Sequence, residues 1–179
     1  MKGQFWSIDM IFAIVIFSGG IILLSIVWFG INSQFASSYS DTIGIMQTQL
    51  DSLVSRLQAP GSPADWNSAI SISSPGTWEN VSMGLGSSSD PGTMSLSKIF
   101  ALEAMSSTSY QSTKQGLGIG FDYYITILSP GAYNISIGLS PFSNNATSIQ
   151  TATVPVVLST GQPASMRVIV WTNTTFGVV

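Results

Sequence analysis

Cysteine and histidine are both missing from this 179-residue sequence. Their absence excludes disulfides, thiolate nucleophiles, imidazole bases and nearly every transition-metal site. No metal and no cofactor is therefore expected. Charge is scarce as well: 7% of the residues are Asp, Glu, Lys or Arg, against roughly 25% in soluble domains. Five Lys and Arg against eight Asp and Glu leave a net charge of −3. So little positive charge cannot neutralise a phosphate backbone, and no nucleic-acid partner is expected. Ser, Thr, Gly and Asn supply the polar surface instead. The hydrophobic fraction is 45%, and it is unevenly placed.

Residues 10–31 carry no charge, and their only non-apolar members are Ser18, Gly19, Gly20, Ser25 and Gly30. As a helix the run spans about 33 Å, close to the roughly 30 Å hydrocarbon core of a bilayer. A helix satisfies its own backbone hydrogen bonds in lipid, which an open strand cannot do. The run is longer than the roughly 7–15 apolar residues of a standard secretory signal. The next seven residues, Asn32-Ser33-Gln34-Phe35-Ala36-Ser37-Ser38, make a poor small-residue cleavage site. Lys2 precedes the run and the first charge after it is Asp41, so the N-terminus is expected inside and the remainder outside. Four N-x-S/T sequons, at Asn80, Asn134, Asn145 and Asn173, agree with an exported and glycosylated surface.

Asp9 stands at the mouth of the apolar run. One reading leaves it in the headgroup layer, favoured by the dipole near the helix N-terminus. The other pairs it with an amine on another subunit, since carboxylates at membrane depth tend to mark function. Gly19 and Gly20 are each less favourable in a helix than Ala by about 1 kcal/mol. They read either as a close helix–helix contact or as the ordinary glycine enrichment of membrane helices.

Lys2-Gly3-Gln4, then a short polar stretch with one carboxylate, then the long apolar run, resembles a class III signal peptide. That is the signature of type IV pilin-like proteins, in its archaeal form. The resemblance covers about the first 58 residues. It implies cleavage between Gly3 and Gln4 by a prepilin peptidase, retention of the apolar helix, and polymerisation of this chain with itself by a dedicated assembly machinery. It also implies that Asp9 offsets the N-terminal amine of a neighbouring subunit. Ser7 and Asp9 keep the family's mutual spacing, but Asp9 falls sixth after the implied cut where the family has its carboxylate fifth.

Beyond the run, Ile43, Met46, Leu50, Leu53, Val54 and Leu57 recur at helical spacing, and Pro60-Gly61-Ser62-Pro63 ends the pattern. One helix from about residue 5 to 58 is expected. Residues 60–93 are rich in turn signals, with Trp66 and Trp78 placed to pin them to a core. A second helix is expected at 94–108, capped by Ser95, and a short helical turn near Tyr110. Alternation then sets four inward rows: Phe121, Tyr123, Ile125 and Ile127; Tyr133, Ile135, Ile137 and Leu139; Ala152, Val154, Val156 and Leu158; Met166, Val168 and Val170. Pro155 suits an edge strand.

The expected fold class is α+β. A long N-terminal helix, transmembrane then amphipathic, packs on a small four-stranded antiparallel sheet with a second helix. The expected divisions are a leader at 1–3, a transmembrane or filament-core helix at 4–31, an amphipathic half at 32–59 and an extracellular α/β head at 60–179. Two motifs suggest catalysis and fail on context. Ser95-Leu96-Ser97-Lys98 matches S-x-x-K without the accompanying S-D-N or K-T-G elements. Gly116-Leu117-Gly118-Ile119-Gly120 precedes a strand instead of joining a strand to a helix. The expectation is a non-enzymatic pilus subunit; the alternative is an uncleaved, membrane-anchored surface protein with a binding or adhesion head.

Overall fold

The computed structural model describes residues 4–173. It is an α+β chain in two compact units, with the boundary between Thr42 and Ile43. Helix α1 runs unbroken over Gln4–Gln58. No proline occurs before Pro60, so every residue of α1 can donate its backbone N–H. Its end is tightened by a bond from Ala59 N to Arg56 O and is succeeded by Gly61 at φ 86°.

The last carbonyls of a helix lack partners within it. Here the chain beyond the helix supplies them. Leu85 N donates to Leu57 O at 2.8 Å and Gly86 N to Ala59 O at 2.9 Å. Lys98 Nζ donates to Pro60 O at 2.6 Å. This close backbone approach explains Gly84 and Gly86: a Cβ at the first would strike Ala59 O, and one at the second Gln58 O.

Short helix α2 (Trp66–Ala69) and a 3₁₀ turn at Pro75–Trp78 lead to β1 (Thr93–Met94), α3 (Leu96–Thr108) and α4 (Tyr110–Gly116). Strands β2 (Asp122–Ser129), β3 (Tyr133–Gly138), β4 (Ser148–Leu158) and β5 (Pro163–Thr172) complete one sheet, in the order β1-β4-β5-β2-β3. Ile125 of β2 faces Ile137 of β3 and Val168 of β5. The alternating rows thus coincide on the inner side, where Met46, Leu50, Leu53 and Leu57 of α1 and Ile99, Leu102 and Met105 of α3 join the same core.

The sheet has five strands and is mixed, which corrects the four-stranded antiparallel expectation. The added strand, β1, pairs in parallel with Val157 and Leu158 of β4. A two-residue strand has no room for alternation, so no periodicity announced it. Met94 consequently belongs to β1 and α3 begins at Leu96. Ser95 holds the N-cap position without a capping bond; its hydroxyl pairs with that of Ser97 at 2.9 Å. Leu139 lies past the end of β3 and is 39% exposed, outside the inner row. Because β1 reaches only the last two residues of β4, that strand has, among the described residues, an open edge at Pro155, where a missing N–H costs no ladder bond.

Candidate functional site

The surface that most needs a partner is the first part of α1. Ile8–Gln34 contains an 18-residue stretch of mean hydropathy 2.8, none of it buried, so this part of the helix is long and apolar enough to cross a membrane. Exposed side chains point in every direction around the helix: Phe12, Ile16, Phe17, Leu23, Leu24 and Phe29 are each more than 60% exposed. A helix that is apolar all round is stable when surrounded, by protein or by lipid. Among the described residues, seventeen large apolar side chains from Ile8 to Ile31 are exposed. At about 1.5–3 kcal/mol each, leaving them in water costs several tens of kcal/mol. The hydroxyls of Ser25 and Ser33 donate to Ile21 O and Gly30 O, both at 2.8 Å, so neither needs water.

Asp9 is exposed and, among the described residues, has no hydrogen-bonding or ionic partner. With α1 already helical from Gln4, Asp9 sits in the second turn. The dipole effect is confined to the first turn, so it does not favour a carboxylate at that depth. Gly19 and Gly20 have nothing within 4 Å of where a Cβ would be. Among the described residues, nothing requires glycine there. Lys2 and Gly3 of the implied processing site lie outside the described residues, while Gln4 opens α1.

The head separates the remaining sequence candidates. Asn80, Asn134, Asn145 and Asn173 are all exposed. Asn134 sits on the outer face of β3, opposite Leu128. The Ser95/Lys98 pair is not assembled as a nucleophile and its base. Lys98 is buried, and its ammonium is taken by two carbonyls, Pro60 O and Gly86 O at 2.6 and 2.7 Å. Burial lowers its pKa, and the Asp65 carboxylate partly opposes that. The glycine-rich segment is tied to α1 instead of cradling a phosphate. Arg56 Nη1 donates to Leu117 O at 2.7 Å, and Gly120 N donates to Gln49 Oε1 at 2.9 Å. Trp66 and Trp78 are buried, with their indole N–H groups on Gly84 O and Ser71 O. They are pins for the 60–86 chain, with no ring face free to stack on a sugar.

Sequence reasoning missed Lys98 as an anchor. The signal was available: Lys98, Ala101, Leu102 and Met105 recur at helical spacing, and all four are buried. A second unexpected cluster ties α4 to β2. Tyr110 stacks on Tyr123 with ring centroids 5.1 Å apart. Its hydroxyl donates to Asp122 Oδ1 and accepts from Tyr123 N, and Lys114 pairs with the same carboxylate at 2.9 Å. Tyr123 donates to Ser106 Oγ, and burial raises its pKa to about 12. A cleft of about 480 Å³ is lined by Trp78, Glu79, Ser112 and Gln115. Among the described residues that line it, Glu79 is the one acid or base.

No family model, no curated protein and no solved structure matches this chain.

Proposed function

We propose that the chain is the structural subunit of a type IV pilus-like surface filament, assembling through residues 4–31 of α1. The observation that carries this reading is the apolar surface of α1, exposed on all sides and made without any use inside the chain. Copies of the same helix can bury it against one another. In the membrane, before assembly, lipid does so. Lys2, Gly3 and Gln4 form the processing site, cut after Gly3 by a prepilin peptidase. The N-terminus lies inside and the head outside, where Asn80, Asn134, Asn145 and Asn173 are open to glycans.

Asp9 sets the register of assembly. An unpaired carboxylate surrounded by apolar helices is costly, so subunits settle where a neighbour's amine meets it. Gly19 and Gly20 let neighbouring helices approach closely. Their lack of any internal contact supports that role.

N-terminal sequencing of the native protein tests the reading. A chain that starts at Gln4 and is recovered in sheared surface material is the expected result. A chain that starts at Met1 and stays with the membrane fraction supports an uncleaved, anchored surface protein with a binding or adhesion head instead.

A further inference from the structure

Within the head unit, α1 and the sheet each turn one face to the core and one outward, although on the outward row of β5 Arg167 is open while Ile169 and Trp171 are buried. On α1, Met46, Leu50, Leu53 and Leu57 point inward. Gly44, Ile45, Thr48, Asp51, Ser52 and Ser55 share the opposite side at helical spacing, all exposed. This outer face is made of small and hydroxyl side chains, with Ile45 54% exposed and one carboxylate. On the sheet, Arg167 of β5 stands between Thr153 of β4 and Thr126 of β2. Around it the outward row of β4 reads Ile149, Thr151, Thr153, Pro155 and Val157, every one exposed.

The charges on these two faces are single and opposite. Of the four Lys and Arg among the described residues, three are committed inside the chain. Arg56 is held by Leu117 O, Lys98 by Pro60 O and Gly86 O, and Lys114 by Asp122. Arg167 is exposed and, among the described residues, has neither a hydrogen bond nor an ion pair. Asp51 is likewise exposed, and its one bond is from the exposed amide of Gln47 at 3.1 Å, which leaves its charge uncompensated.

We propose that the outer face of α1 over residues 44–55 in one copy docks on the outer sheet face of the next copy, with Asp51 paired to Arg167. Charge selects the occupant. Sheet on sheet sets Arg167 against Arg167, and helix on helix sets Asp51 against Asp51. Helix on sheet is the combination that attracts. Over residues 44–55 and around Arg167 the faces are otherwise hydroxylic or apolar; the next charge on this side of α1 is the exposed Asp41, one turn before Gly44, whose sign Arg167 also attracts. Two different faces meeting make a heterologous contact, which repeats from copy to copy and gives a ring or, where the rotation does not close, an open filament, the form that the filament reading needs. This interface rests on the filament reading above and adds a contact between heads to the one between helices.

The chain has no cysteine, so introduced cysteines report without a background. The test uses the full-length chain in its own membrane, carrying Thr48→Cys and Thr153→Cys together, under mild oxidation and non-reducing electrophoresis. Each single variant is expected to stay monomeric, and the double variant to give a ladder of dimers, trimers and longer species. Adding Arg167→Asp should weaken the ladder by roughly tenfold, and adding Asp51→Arg to that should restore it. The interface is overturned by a double variant without a ladder, by dimers from Thr153→Cys alone, or by a ladder indifferent to Arg167→Asp. Microscopy of the same cells separates the two levels. Filaments without a ladder remove this interface alone, whereas neither filaments nor a ladder removes the filament reading with it.

Discussion

Residues 8–31 and residues 43–58 belong to one uninterrupted helix, yet they solve opposite problems. The second stretch shows its apolar stripe to a core: Met46, Leu50 and Leu57 have no exposed surface at all. The first has apolar side chains on every side and buries none of them. The glycines tell the same story. Gly84 and Gly86 are required by backbone packed against them, whereas a Cβ on Gly19 or Gly20 would meet nothing among the described residues. The core side chains of the head are therefore explained from within the chain. Those of residues 8–31 are explained only by what surrounds them, which is why the functional reading rests there.

This contrast breaks most readily through paired truncations. Leu50→Ala opens a cavity in the core and should lower the stability of the detergent-solubilised chain by about 2–5 kcal/mol. Leu24→Ala, on a side chain 75% exposed, should change head stability by no more than about 0.5 kcal/mol. Thermal unfolding monitored by tryptophan fluorescence checks both, and comparable losses from the two variants would erase the distinction. A smaller effect is expected from the glycines. Gly86→Ala drives a methyl into Gln58 O and should cost about 1–3 kcal/mol, as other overpacking does. Gly20→Ala should leave the head unchanged, and any loss should appear in assembly.

The smallest effect sharpens the comparison through pH, because the head holds shifted groups. Burial raises the Tyr123 pKa from 10.0 to about 12, and raises that of Tyr110 as well. Above pH 10 the unfolded tyrosines lose protons that the folded ones keep. Their contribution is thus complete below pH 10 and is lost as pH rises toward 12. Lys98 acts in the other sense: its lowered pKa makes stability rise with pH as 10.5 is approached from below. Absorbance titration at alkaline pH alongside circular dichroism should show late-ionising tyrosines released together with the fold. Uniform ionisation near pH 10 would contradict the packing of Tyr110 on Tyr123.

Much of the architecture was legible because it is periodic. The stripe from Met46 to Leu57 and the alternation from Tyr123 to Val170 each repeat often enough to fix an element and its inner face. The parts that were not legible are local or long-range. Strand β1 is two residues long, and its partner lies more than sixty positions away in β4, so neither pattern nor proximity marks it. Ser95 has the right residue type for a cap and the wrong neighbour, Ser97, for its hydroxyl. Lys98 draws the eye through the motif it shares with Ser95, although its spacing with Leu102 and Met105 places it on the buried side of α3. In the candidate site itself, the apolar run is plain in the sequence. The depth of Asp9 along α1 and the empty surroundings of Gly19 and Gly20 depend on where the helix starts and on what packs beside it, which no local pattern encodes.

Electron microscopy with helical reconstruction of sheared surface material tests the central claim most directly. Filaments containing this chain, with residues 8–31 of neighbouring copies packed together along the axis, are the expected result. Surface material lacking the chain, with residues 8–31 found in lipid as a lone helix in every membrane preparation, would contradict it.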